Sequence, residues 1–261
     1  MDDATEKRPQ AQDIYDRVVT AAADELERPW SALAISAVFA GLTIGIGPLG
    51  VASIESLIGH SDADHAIAVL AYPIGFIAVI LGRAQLFTEN TLYPVVLSLE
   101  DRSKLRPTAK LWAIVLTANL VGAVLFALLA TQSAAPDPEI AERLRALGEE
   151  ATAGGFAMNF WSAVIAGWLI ALVAWLVEAS DATIGRVAVI FALTYVVGVG
   201  SFDHIIASAG EALAALFHGQ IDAGRFFEWL AAVGLGNAAG GVLIVSLLNY
   251  GQVRSGKDEA R

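Results

Sequence analysis

The sequence predicts an all-α membrane protein with six transmembrane helices in two inverted three-helix repeats, helices 2 and 5 being broken. Three observations predict it. The chain is 56% hydrophobic and 16% charged, where a soluble domain carries about 25% charged residues. Several apolar runs approach the roughly 20 residues that a bilayer crossing needs. Two of these runs hold a polar interruption: Leu86-Phe87-Thr88-Glu89-Asn90-Thr91 in one, and Ser201-Phe202-Asp203-His204, followed by Ser208, in the other. A polar break at membrane depth is tolerated only where protein buries it or where it lines a cavity. One break in each half points to a transport path built from discontinuous helices. A large soluble helical protein is the alternative, and no single soluble core explains the pattern.

The elements follow in order. Residues 1–29 hold a cytoplasmic amphipathic helix over 10–28, with Ile14, Tyr15, Val18, Val19, Ala22 and Leu26 on one face and Pro29 at its end. Such a helix either lies on the membrane surface or serves as a gate or subunit contact. Residues 30–250 form the membrane domain, with spans near 31–51, 66–99, 109–131, 158–178, 187–217 and 228–250. The second and fifth are too long for one straight crossing. The connection 132–157 opens with Pro136 and Pro138 and carries a short external helix marked by Ile140, Leu144 and Leu147. Residues 251–261 form a cytoplasmic tail.

Orientation follows from the basic residues. Twelve Lys and Arg fall on the side of the two termini, three on the other side, and Arg83 lies inside a span. The first thirty residues are polar, with no apolar signal core. Both termini are therefore expected in the cytoplasm. A net charge of −11 argues against a nucleic-acid partner, and the absence of cysteine removes disulfides and thiolate chemistry.

The halves resemble each other, about 30–131 and 158–250. Trp30-Ser31-Ala32 opens the first span and Trp161-Ser162-Ala163 the fourth, and Asn119 with Gly122 recurs as Asn237 with Gly240. Three spans per half give the halves opposite orientation, with a site expected near the midplane between them. Packing is the plainer role for most glycines.

At the breaks, His204 is the sharpest residue. Ionisable groups inside spans are rare and usually face a cavity. An imidazole titrates near neutral pH or donates while neutral; a purely structural histidine would tie two helices together. Asp203 precedes it. Thr88 offers a hydroxyl to a solute or caps the restarted helix. Asn119, Asn237, Asp203 and Ser208 are expected to support the loops, the two Asn by satisfying freed backbone groups. Arg83 either pairs with Glu89 or Asp203 or snorkels to the interface. Leu86, Phe87, Val197 and Phe202 either constrict a pore or pack as ordinary apolar residues. His60 and His65 sit with Asp62 and Asp64 in an external loop, solvated or as a weak surface metal site.

On Leu86-Phe87-Thr88, Phe202-Asp203-His204 and the two Asn-x-x-Gly segments, the chain resembles the formate/nitrite transporter family over about 30–250. The resemblance implies an aquaporin-like fold in a bacterial inner membrane. It also implies a homopentamer with one pore per subunit, passing small monovalent anions such as formate, nitrite or hydrosulfide. It makes Thr88 and His204 the central polar pair, with Leu86 and Phe87 at one constriction and Val197 in an aromatic's place. A weak acid would be protonated between two apolar constrictions and cross uncharged. The chain departs from the familiar pattern at Ser208, Asp203 and Gly167, where Asn, Glu and a pore-facing Asn are usual. It has no Lys in 132–162 for the vestibule cation. Arg83, tuned by Glu89, is the candidate replacement.

Competing readings are a neutral-solute channel of aquaporin-like shape and a non-transporting structural or regulatory pentamer. Paired Asn-Pro-Ala motifs are missing for the former. A membrane enzyme built on His204 and Asp203 lacks a nucleophile pairing, a metal cluster and a nucleotide loop. No cofactor is implied.

Overall fold

The computed structural model describes the backbone of residues 9–259 and the side chains of 9–255, and every regular element among them is a helix. Lys7, Arg8 and Arg261, which entered the charge count, lie outside the described residues, as does the side chain of Lys257. The helices are α1 (Ala11–Glu27), α2 (Trp30–Thr43), α3 (Ile46–Ile58), α4 (Asp62–Ala68), α5 (Tyr72–Leu81), α6 (Tyr93–Glu100), α7 (Leu105–Gln132), α8 (Pro138–Ala151), α9 (Phe156–Glu178), α10 (Thr183–Val199), α11 (Ala207–Phe217), α12 (Ala223–Ala239) and α13 (Leu247–Glu259). A π-helical stretch, Gly240–Ser246, joins α12 to α13.

Among the described residues, five segments are long and apolar enough to cross a membrane, where the sequence predicts six. They are Trp30–Ile58, Asp62–Leu81, Arg102–Gln132, Phe156–Glu178 and Ala223–Ser255. The remaining run, 187–217, is divided into α10 and α11, and 200–206 between them is not α-helical. The expected tail at 251–261 is helical through Glu259, as a continuation of α13.

The two polar segments leave their helices by the same device. After α5, Arg83 takes a left-handed conformation (φ 51°), its N–H donates to Ile80 O (3.1 Å), and Ala84 N–H donates to Val79 O (3.0 Å). After α10, Ser201 does the same (φ 49°), with Ser201 N–H on Gly198 O (3.0 Å) and Phe202 N–H on Val197 O (3.0 Å). A left-handed residue that lets the chain turn back caps the last carbonyls, a role usually given to glycine. α6 then starts on Tyr93-Pro94, where the missing proline N–H costs nothing because first-turn donors have no partner inside the helix.

The same contacts recur in both halves at fixed offsets. Phe87 N–H donates to Asn119 Oδ1 (2.9 Å), and 118 residues on (87 to 205, 119 to 237) Ile205 N–H donates to Asn237 Oδ1 (2.8 Å). Asn119 Nδ2 donates to the carbonyls of Ala37 and Gln85, and Asn237 Nδ2 to those of Ala163 and Asp203. Gln85 N–H donates to Ser36 Oγ (3.1 Å) and Asp203 N–H to Ser162 Oγ (3.0 Å). A Cβ on Gly41 would overlap the backbone of Asn119, and one on Gly167 that of Asn237. Ser162 therefore answers to Ser36, not to Ser31 as the two Trp-Ser-Ala triplets suggest. The correct match is itself visible: 36–41 reads Ser-Ala-Val-Phe-Ala-Gly and 162–167 reads Ser-Ala-Val-Ile-Ala-Gly. Gly167 is a close helix contact, so it does not stand in for a pore-facing side chain.

α9 fixes two ends of the molecule. Its N-terminus follows α8, and its 23 residues span about 35 Å. At its C-terminus Arg17 of α1 donates to Glu178 O (2.9 Å) and pairs with Asp181 (2.8 Å). α1 buries Ile14, Tyr15, Val18 and Ala22. It packs against α6, α9 and α13, with Tyr15 Oη donating to Glu100 (2.8 Å). Its apolar face is thus turned to protein, whereas a helix lying on the membrane surface would turn that face to lipid.

Candidate functional site

Thr88 Oγ1 and His204 Nε2 lie 2.8 Å apart, and both residues have no exposed surface. Each belongs to one of the two irregular segments. Ala207 N–H donates to His204 Nδ1 (3.1 Å), so that nitrogen carries the lone pair. The neutral ring then holds its proton on Nε2 and donates it to Thr88. Phe76 abuts the imidazole edge-on at 5.0 Å between ring centres.

Asn119 and Asn237 hold these segments in place. Each amide accepts one backbone N–H and donates to two carbonyls, which meets the demand of unwound backbone far from water. Thr91 Oγ1 donates to Thr88 O (2.7 Å), and Ser246 of the π-helical stretch donates to Thr91 O (2.9 Å).

Two cavities approach the pair. At the α1 end a cavity of about 100 Å³ is lined by Glu25, Arg83, Leu86, Glu89, Glu178 and Arg186, among others. At the α8 end one of about 430 Å³ is lined by His65, Glu150, Val197, Phe202, Asp203, Ser208 and Glu211. Thr88 and His204 line neither, yet Leu86 lies two residues before Thr88 and Asp203 immediately precedes His204. The pair therefore sits between the cavities.

The other predicted residues divide accordingly. Leu86 and Val197 are buried and line opposite cavities, and Phe202 lines the α8-end cavity beside Val197. Phe87 lines neither; its ring meets Trp112 edge-on at 5.6 Å. Asp203 accepts from Trp229 Nε1 (3.4 Å), and Ser208 N–H donates to His204 O (3.0 Å). Arg83 shares the α1-end cavity with Glu89, and no ion pair to it is found among the described residues. Asp203 faces the other cavity, so it is not the partner of Arg83. Nor does Arg83 stand near the 132–157 connection, whose vestibule it was expected to serve.

Sequence reasoning missed an ion chain at the α8 end. The wholly buried carboxylate of Glu55 (α3) meets His65 Nδ1 at 2.7 Å and Arg143 Nε at 2.5 Å, and Arg143 also pairs with Glu150 (2.7 Å). Burial lowers the guanidinium's proton affinity, but the hydrogen bonds to Glu150 and Glu55 more than offset this and hold its pKa above the usual value. His65 is thus bound to protein, and no acid or histidine group suited to a metal occurs among the described residues. The available signal was Glu55 itself, an acid inside an apolar run.

Comparison with known proteins agrees with this geometry. A sequence model of the formate/nitrite transporter family matches residues 12–251. The inner membrane protein YfdC of Escherichia coli (strain K12) is 30% identical over 95% of this chain and 80% of its own. A probable formate transporter of Methanothermobacter thermautotrophicus is 30% identical over 69% of this chain and 72% of its own. Among solved structures, an FNT family ion channel superposes with TM-score 0.75 at 19% identity, covering 93% of this chain and 96% of that one. A pentameric formate channel with formate bound gives 0.72 at 20%, covering 85% and 96%. With the family's sequence pattern running along nearly its whole length and the helices arranged as in those channels, the chain belongs to the formate/nitrite transporter family.

Proposed function

We propose that this chain passes small monovalent anions, of the formate or nitrite kind, through a path in each subunit that runs from one cavity past Thr88 and His204 to the other. The observation that carries the reading is the buried Thr88–His204 pair between two cavities, made by two segments that interrupt apolar helices. The proposed architecture is six crossings in two inverted repeats, with the second and fifth broken at 82–92 and 200–206. The recurring Asn, Ser and Gly contacts support it. Assembly as a homopentamer in a bacterial inner membrane, with the α1 end cytoplasmic, is supported by the relatives and by the basic residues on that side. The chain is not an enzyme, because its family is one of transporters and channels.

Chemically, an anion at the pair meets a neutral imidazole whose Nε2 proton is free to leave Thr88 and point at the solute. A donor in a dry site binds an anion more strongly than the same donor in water. Protonation at Nδ1 would set that nitrogen against the Ala207 N–H that now donates to it. The reading therefore gives His204 the part of hydrogen-bond donor, and any linked proton travels on the solute. Leu86 and Val197 supply the apolar surface on either side that excludes hydrated ions.

The test is formate and nitrite flux into proteoliposomes holding the purified protein, with chloride as control, at two pH values. Wild type conducts small anions, faster at acid pH where more of the solute is uncharged, and His204→Ala abolishes or reshapes that flux. Equal flux in both proteins, or none in vesicles with verified folded protein, overturns the reading.

A further inference from the structure

The α8-end cavity has a lining of the wrong sign for a simple anion path. Glu150, Asp203 and Glu211 line it, and no Lys or Arg does among the described residues. Behind them lies Glu55, shared between His65 and Arg143, and Arg143 is held by Glu150 as well. Four carboxyl groups therefore face one guanidinium, and among the described residues Glu55 and Glu150 alone share it. Arg225 of α12 is turned away to the carbonyls of Glu149 and Thr152. The α1-end cavity differs in degree: Glu25, Glu89 and Glu178 line it, but Arg83 and Arg186 line it with them.

Glu211 makes this more than a run of surface acids. It sits on α11, which restarts three residues after His204. Its exposure is 9% and it lines the cavity, yet its carboxyl group has no hydrogen bond or ion pair among the described residues. A buried acid kept for stability is paired; this one faces the cavity with no hydrogen-bond or ion-pair partner among the described residues, as an acid does when it acts on a solute. His65 Nε2, in the same lining, is likewise buried without a partner.

We propose that the α8-end cavity is a charge filter that repels free anions and attracts small monovalent cations, with Glu211, Glu150 and Asp203 as its specificity-determining residues. This rests on the reading that the path ends in this cavity. From this end a monoanion reaches His204 only with its charge cancelled, as the undissociated acid or beside a small cation. The carboxylates act through their summed field rather than as a metal site. The α1-end cavity offers two guanidinium groups that this one lacks, so the two mouths differ in selectivity.

The sequence has no cysteine, which makes a single thiol a clean reporter. Ala153 lines the cavity and is exposed. With Ala153→Cys in the full-length protein, the rates of modification by a cationic and an anionic methanethiosulfonate are measured, each divided by its rate with a free thiol. The expected result is a normalised preference of several-fold for the cation. It falls toward parity when Glu211→Gln and Glu150→Gln are added, and also in molar salt, where the Debye length is about 3 Å. A ratio at or below parity, or one that the double substitution leaves unmoved, overturns the filter. Formate flux measured beside it separates the two readings. No flux with a high ratio removes the transport reading and leaves the filter; flux with a ratio at parity does the reverse.

Discussion

Both ring nitrogens of His204 are committed, Nδ1 to the Ala207 N–H and Nε2 to Thr88. This is the point at which the two halves stop matching. By the offset that carries Asn119 onto Asn237, His204 answers to Leu86 and Thr88 to Ile206, so each polar member lies opposite an apolar residue of the other half. The supporting residues do match, and they matter for stability. Asn119→Ala strips the partners from Phe87 N–H and Gln85 O, and a second donor from Ala37 O. Each buried group left unpaired costs about 1–3 kcal/mol. The expected result is a thermal unfolding midpoint in detergent lowered by many degrees, with Asn237→Ala behaving alike. An unchanged midpoint would mean that water already serves those groups. The two Asn residues were legible in the sequence because a polar amide stands out in an apolar helix. Glu211 was not, because its significance depends on which neighbours it lacks.

Helix pairs pack through small residues at matched places. Gly41 of α2 lies on the backbone of α7 at Asn119, and Gly167 of α9 on α12 at Asn237. In a membrane, where lipid tails are as apolar as the helices, such close approach supplies the packing energy. Gly41→Ala and Gly167→Ala are therefore expected to separate their helix pairs and displace the amides that hold the breaks. The check is loss of monodisperse protein on size-exclusion chromatography, while Gly155→Ala, whose Cβ would meet nothing within 4 Å, remains wild-type. Element existence was readable from hydropathy because composition alone decides what can sit in lipid. Register was not: the Trp-Ser-Ala triplets drew the eye to Ser31, five residues from the true counterpart Ser36, since Ala, Leu and Ser recur too often in such helices to fix an alignment. The ends of the broken helices were also hidden, because left-handed Arg83 and Ser201 stand where glycine would have signalled a turn.

Over the whole molecule, two irregular segments meet in the interior and each opens toward its own cavity. Sequence patterning located the segments, since polar runs contrast with their surroundings, and the family resemblance named the pair. The Glu55–Arg143–Glu150 chain was invisible by comparison: Glu55 and Arg143 are 88 residues apart, and only packing of α8 on α3 brings them together.

The central claim is that a small anion passes the Thr88–His204 pair. Thr88→Val tests it most directly, because it keeps the shape of the side chain and removes only the hydroxyl. The measurement is formate uptake into proteoliposomes of matched protein content and verified fold. Loss of one charge-assisted hydrogen bond, about 1.5–3 kcal/mol, predicts a fall of about tenfold or more. Uptake equal to wild type would contradict the account, because the solute would then cross without meeting this pair.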